Sequence, residues 1–209
     1  MIKAVVFDLG GVLLDLDMEK CKEAFREKAG FTTIDQYIDT FHQKGFWGEL
    51  EGGTIGAEEF IGKCIENSRP GTTKDTVLDC FREFLEGIPA EKVDFLKELS
   101  GKYPLYLLSN TNPVAMDICK EIFSDAGFSP EEVFTKQFLS YEMKLMKPSP
   151  EIYRKAIEEI AFPADEILFI DDSQTNLEAA AREGIQTLHY IPGTDLRKAV
   201  MDRLGCQKD

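Results

Sequence analysis

The sequence predicts an α/β fold, a parallel sheet with helices on both faces, carrying an all-helical insertion directly after the first strand. Three observations lead there. Residues 4–9 form an apolar, β-branched run broken only by Asp8, and a run without polar alternation suits a strand covered on both faces. The second half of the chain alternates short apolar strands with amphipathic helices, the rhythm of right-handed βαβ units. Between the halves, residues 16–87 show helical spacing and no convincing strand.

In order, the first strand ends at Asp8, and Gly10-Gly11 permit a sharp turn there. Asp17 is placed to cap a helix whose stripe is Met18, Cys21, Ala24, Phe25 and Ala29, closed by Gly30. A second helix is expected from Ile34, Tyr37, Ile38 and Phe41. Residues 45–53, rich in glycine and carrying Phe46, Trp47, Glu49 and Glu51, read as a loop. Helices are expected over 57–67 and 73–85, then over 90–99.

Residues 105–108 form a strand that stops at Ser109-Asn110-Thr111-Asn112, and a helix follows from Pro113. A short strand over 134–139 precedes a helix opened by Pro148 and Pro150. A strand over 167–170 ends at Asp171-Asp172, a helix runs from Asn176 to Gly184, and a strand over 187–191 precedes a last helix. The expected organisation is a core of residues 1–15 and 88–209, with a helical cap at 16–87 seated over the strand ends.

The 209 residues carry a formal net charge of −14. That balance argues against nucleic acid or an anionic membrane as partner, since phosphate backbones are bound by clustered Lys and Arg. A small phosphorylated ligand remains compatible with it. Cys21, Cys64, Cys80, Cys119 and Cys206 are scattered and show no C-x-x-C spacing, so neither zinc nor a disulfide framework is expected. No signal-peptide pattern and no bilayer-length apolar run is visible. A cytoplasmic monomer or weak homodimer is the expectation.

Three strands end in polar residues at one edge: Asp8, then Ser109-Asn110, then Asp171-Asp172, with Lys147 between the last two. In open α/β sheets ligands bind beyond the carboxyl ends of the strands. Singly, each has an ordinary reading as a turn, a surface lysine or a helix-capping acid. Together they suit phosphoryl transfer. Clustered carboxylates repel unless a cation joins them, and hard oxygen ligands without His or Cys point to Mg²⁺. Asp8 could then attack phosphorus to give an aspartyl-phosphate that water hydrolyses. The Ser109 hydroxyl, the Asn110 backbone N–H and the Lys147 ammonium could hold the phosphoryl oxygens.

These four stations, Asp8-Leu9-Gly10-Gly11-Val12, Ser109-Asn110, Lys147-Pro148 and Asp171-Asp172 with Asn176, resemble the haloacid dehalogenase-like hydrolase superfamily over the whole chain. The branch most similar has a helical cap and includes sugar-phosphate phosphatases of the glucose-1-phosphate type. The resemblance implies a Rossmann-like core and a Mg²⁺-dependent phosphatase of a small phosphorylated metabolite. It makes Asp8 nucleophile and metal ligand, adds the Gly10 carbonyl and Asp172 as ligands, and puts Asp171 in the metal shell or beside Lys147. Ser109 and Asn110 would bind phosphate, and Lys147 would orient and balance the nucleophile.

One departure stands out. The family's phosphatases usually place a second aspartate two residues after the nucleophile, as general acid and base; here that residue is Gly10. Such a loss can cost about 10²–10⁴ in rate. A metal-bound water, the substrate, or Asp15 or Asp17 could substitute. Gly10 argues against phosphomutase activity and leaves two alternatives: a metal-free haloacid dehalogenase, for which Asp171-Asp172 would have little use, or a weak phosphate-binding module. Within the insertion, Phe46 and Trp47 read first as cap core, while their stretch is where such caps reach toward the leaving group. His42 and His189 show no ligand spacing and read as structural.

Overall fold

A computed structural model of the chain describes residues 1–38 and 43–205. In chain order the elements are strands β1 (Ala4–Phe7) and β2 (Asp15–Leu16), helices α1 (Met18–Ala24), α2 (Phe46–Glu51), α3 (Ala57–Glu66) and α4 (Lys74–Arg82), and strand β3 (Leu85–Gly87). There follow α5 (Ala90–Ser100), β4 (Leu105–Ser109), α6 (Pro113–Asp125), α7 (Pro130–Val133), β5 (Phe134–Leu139), α8 (Ser140–Met143), α9 (Pro150–Ile160), β6 (Ile167–Asp171), α10 (Gln174–Arg182), β7 (Gln186–His189) and α11 (Leu196–Leu204).

Five strands form one parallel sheet in the order β5-β4-β1-β6-β7. The chain builds outward from β1 on one side and then on the other, so the switch point lies at the carboxyl end of β1, where ligands bind in such sheets. Strand periodicity explains why these runs lack polar alternation. Val5, Phe7, Leu105, Leu107, Leu168 and Ile170 face α5, α6 and α11. Their neighbours Ala4, Val6, Tyr106, Leu108, Ile167 and Phe169 face α9 and α10.

The insertion has its own core. Phe25, Trp47, Phe60 and Phe81 are buried together with Cys21, Cys64 and Cys80, and the cluster continues into Val114, Ala115 and Ile118 of α6. Trp47 stacks on Phe81 at 5.3 Å with 6° between planes and meets Phe60 edge-on at 4.8 Å. Cys119 is likewise buried, and Cys206 lies outside the described residues. No described helix is long and apolar enough to cross a membrane.

Four details differ from the sequence-based reading. Within the described residues the expected second helix is a single 3₁₀ turn, Ile34–Gln36; Phe41 and His42 lie outside them. Residues 46–51 are helical rather than a loop, because Phe46, Trp47 and Leu50 all bury on one side of α2 and tertiary packing overrides glycine's poor propensity. The helix expected to reach residue 85 stops at Arg82. Leu85 instead enters β3, which pairs antiparallel with β2, Asp15 opposite Gly87 and Leu16 opposite Leu85. The insertion is therefore closed at its base by a two-stranded ribbon too short to show a period-2 pattern. Elsewhere the helix over 18–24 starts where expected, with Asp17 accepting from the Lys20 N–H at 2.9 Å, and continues as a wider π turn to Ala29 before Gly30.

Truncating Phe81 to Ala should cost about 3–5 kcal/mol, the usual penalty for emptying an aromatic site in a packed core. Trp47 is the single tryptophan of the chain, so urea unfolding followed by its fluorescence reads this directly. An unchanged midpoint and an unshifted emission maximum would contradict the packing described.

Candidate active site

The site is assembled at the carboxyl ends of β1, β4 and β6. The Asp8 N–H still donates to the Ile170 carbonyl at 2.9 Å, which locks the residue in register with β6. Its Oδ1 accepts from the Leu9 N–H at 2.7 Å. The turn that follows is tight: the Leu13 and Leu14 N–H groups return to the Leu9 carbonyl, and Gly11 has φ of 73°. A Cβ on Gly11 would lie 2.2 Å from Asp172 Oδ2. Only glycine serves here, for both its backbone conformation and its clearance.

Lys147 joins the strand ends. It is 4% exposed, and its Nζ lies 2.9 Å from Asp8 Oδ1 and 2.7 Å from Asp171 Oδ2, with the Phe169 ring centroid at 5.4 Å. Asp171 is fully buried. It also accepts from the Ser173 N–H at 2.7 Å and from Asn176 Nδ2 at 3.1 Å. The backbone of Lys147 is held in turn by Asn110, whose Oδ1 accepts from the Lys147 N–H and whose Nδ2 donates to its carbonyl, both at 2.8 Å. The Asn110 side chain is thus fully engaged in positioning Lys147.

Carboxylate oxygens of Asp8, Asp171 and Asp172 can all lie within 4.8 Å of one another. Three carboxylates against one ammonium leave an acidic, all-oxygen donor set, and the absence of a side chain at Gly11 makes room for the Asp172 carboxylate in it. The residues present fit a hard divalent cation such as Mg²⁺. The electrostatics agree. Burial pushes the Asp8 carboxyl up to about 7, Lys147 pulls it down, and Asp171 and Asp172 add repulsion. Asp172 is raised by burial and then by Asp171. For Lys147, burial works against the charge, but the Asp171 and Asp8 carboxylates prevail and raise it above its ordinary value.

A cavity of about 540 Å³ opens over this cluster, with Asp8, Gly10, Ser109, Asn110, Lys147 and Asp172 in its wall. Asp171 is absent from the wall, lying behind Lys147. From the insertion come Leu16, Met18, Glu51 and Phe84. Phe46 and Trp47 are buried in the cap core instead, and Glu49 is exposed. Asp15 and Asp17 are elsewhere, the former paired with Lys92 at 3.0 Å and the latter capping α1, and neither borders the cavity. They are not placed to stand in for an acid at position 10. His189 borders the cavity, but its Nε2 is 3.0 Å from the Asp172 carbonyl.

Of the stretch expected to approach the leaving group, Glu51 is the residue that lines the cavity, and what sequence reasoning missed is the contact that holds it there. Glu51 reaches the cavity because its carbonyl accepts from Ser140 Oγ at 2.7 Å, while that same hydroxyl accepts from the Thr111 N–H at 3.0 Å. Gly53, with φ of 69°, lets the chain pass where a Cβ would sit 2.1 Å from the Tyr141 carbonyl. The glycine pair after Glu51 is the part of this approach that the sequence does show. The Glu51 carboxyl is pushed up to about 8, by burial first and by Asp8 second, with Lys147 opposing.

Fold and site together define a capped α/β protein with an acidic, lysine-bridged centre at its switch point. The model of haloacid dehalogenase-like hydrolases matches residues 2–184, and the chain belongs to that family. A D-ribitol-5-phosphate phosphatase of Bacteroides thetaiotaomicron is 34% identical, covering 95% of this chain and 96% of the relative. A solved family enzyme from the same organism, an aspartate-to-alanine mutant in complex with magnesium and inorganic phosphate, superposes with a TM-score of 0.88 at 37% identity, covering 93% of this chain and 96% of that one. A HAD-like hydrolase from Porphyromonas gingivalis gives 0.89 at 33% identity, with both chains covered in full.

Asp8 carries a testable pH signature in the metal-free protein. Its folded value of about 7 lies above its ordinary 3.8, so between these pH values the folded state binds more protons than the unfolded one. The stability it contributes is present in acid and is lost as pH rises through about 7. Asp8→Asn removes that dependence. Denaturation in EDTA should therefore show the variant gaining on wild type between pH 5 and pH 8; a constant difference would contradict the buried, repelled carboxyl.

Proposed function

We propose that this chain is a Mg²⁺-dependent phosphatase of a small phosphorylated metabolite, a polyol or sugar phosphate, working through an aspartyl-phosphate on Asp8. The observation that carries the reading is the convergence of Asp8, Asp171 and Asp172 on one point beside the buried Lys147, at the floor of a cavity sized for a small molecule. In this reading residues 1–15 and 88–209 are the hydrolase core and residues 16–87 the cap.

Each residue then has a task. Asp8 attacks phosphorus in line as the ester oxygen departs. Lys147, fixed by Asn110 and Asp171, holds the nucleophile's carboxylate and balances its charge. The Ser109 hydroxyl and the Asn110 backbone N–H take the phosphoryl oxygens, and the Asn110 side chain keeps Lys147 in place. Asp8, Asp172 and the Gly10 carbonyl would hold Mg²⁺, which when bound neutralises phosphate charge and polarises phosphorus. Water then hydrolyses the acyl phosphate, releasing inorganic phosphate and restoring Asp8.

The D-ribitol-5-phosphate phosphatase among the relatives supports a hydroxylated leaving group. So does the insertion: next to Glu51 a recess of about 20 Å³ meets Trp47, whose indole Nε1 has no hydrogen-bond partner among the described residues. A buried donor of this kind suits a substrate hydroxyl.

Hydrolysis of p-nitrophenyl phosphate should require Mg²⁺ and fall at least about 10³-fold in Asp8→Asn, the usual scale for removing a covalent nucleophile. D-ribitol 5-phosphate and other sugar phosphates then rank the leaving groups. Metal-independent release, or release that survives in the variant, would overturn the assignment. In a separate test, Gly11→Ala should weaken Mg²⁺ binding about 10–100-fold by calorimetry, since the new Cβ displaces the Asp172 carboxylate; wild-type affinity would remove Asp172 from the ligand set.

A further inference from the structure

Position 10 lacks a side chain, and the space one would enter is filled. A Cβ on Gly10 would lie 2.7 Å from Leu16 Cδ1. No acid on the floor of the cavity can therefore be found two residues beyond Asp8, yet an alkyl leaving group departs as an alkoxide unless a proton meets it. In-line attack by Asp8 points the leaving oxygen away from the sheet, toward the wall supplied by the insertion.

Few groups in that wall can carry the proton. Asp8, Asp172 and Lys147 belong to the floor, and His189 turns its Nε2 to the Asp172 carbonyl. Glu51 remains. It projects from the end of α2 into the same cavity as Asp8, its backbone is clamped to the core by Ser140, and among the described residues no hydrogen bond or ion pair engages its carboxyl. We infer that Glu51 is the general acid and base of this phosphatase, delivered from the cap in place of the residue missing at position 10. The inference rests on the phosphatase reading above.

Its surroundings suit the role. Burial, the largest influence on the Glu51 carboxyl, favours the protonated form against the pull of Lys147. On α3 and α8, the helices packed against α2, Glu142 is engaged with the Tyr141 hydroxyl, Glu59 with Lys63 and Glu58 with Lys74, and Glu66 is exposed at the last residue of α3. In the first half-reaction the Asp8 oxygen bonds to phosphorus, the bond to the ester oxygen breaks, and the Glu51 proton passes to that oxygen. This leaves an alcohol, an aspartyl-phosphate and a Glu51 carboxylate. In the second, water bonds to phosphorus as the Asp8 carboxylate leaves with its electron pair, and the water's proton returns to Glu51.

The test is Glu51→Gln, which keeps size and polarity but carries no transferable proton, with Glu51→Ala alongside. With an alkyl phosphate such as D-ribitol 5-phosphate, kcat should fall about 10²–10⁴-fold. With p-nitrophenyl phosphate, whose leaving group needs little protonation, the variant should release a rapid burst equal to the enzyme present and then slow. The phosphorylated protein should accumulate and be visible as one added phosphoryl group by mass spectrometry, and added formate should restore turnover to Glu51→Ala. Unchanged kcat on the alkyl phosphate overturns the inference. So does a rise in KM without a burst, the mark of a residue that only binds the leaving group. If wild type itself shows no Mg²⁺-dependent turnover, it is the phosphatase reading that fails.

Discussion

The structure turns on one buried ammonium. Lys147 sits between Asp8 and Asp171, all three removed from water, where an incomplete set would leave an unpaired charge in a medium that penalises it severely. The fold meets that demand by construction. Parallel pairing of β1 with β6 brings the two carboxylates side by side, and the loop bearing Lys147 is latched to the end of β4 by both ends of the Asn110 amide. Three adjacent parallel strands each contribute one part of a single electrostatic unit.

That unit is deliberately unbalanced. Asp172 adds a third carboxylate without a second lysine, and the backbone of Gly11 passes so close that any side chain would collide with it. Burial first, with repulsion from Asp171 and Asp172 added to it against the pull of Lys147, raises the Asp8 carboxyl in isolation, and the excess negative charge is what a divalent cation would relieve. A carboxyl that keeps its proton without metal and would give it up beside a cation suits the nucleophile proposed above.

The parallel sheet was legible because its strands are buried on both faces and therefore read as unbroken apolar runs. Asp8, Ser109-Asn110 and Asp171-Asp172 were legible because a polar residue ending such a run is conspicuous, and Lys147, which lies in a loop, only through its place in the family pattern before Pro148. What could not be read was anything decided by packing across the chain. Residues 46–51 look like a loop until Phe46, Trp47 and Leu50 find Phe25, Phe60 and Phe81. The β2–β3 ribbon joins residues some seventy positions apart through two and three residues. Asp171 and Asp172 are neighbours in sequence, yet one is buried behind Lys147 and the other faces the cavity, a distinction set by which side of β6 each leaves. The approach of Glu51 rests on Ser140, almost ninety residues away.

Two acids now share one cavity with opposite requirements, and their environments separate them. Asp8 must be ionised to attack, and it lies on a floor equipped with Lys147 and an oxygen cluster suited to a cation. Glu51 must keep a proton, and the insertion that carries it brings the apolar Leu16, Met18 and Phe84 to the same wall. An acid at position 10 would share Asp8's floor, where the cation that ionises one carboxyl favours ionising the other. Moving the acid across the cavity frees each group to be tuned by its own surroundings. The glycine at position 10 and the glutamate at position 51 are then two sides of one arrangement.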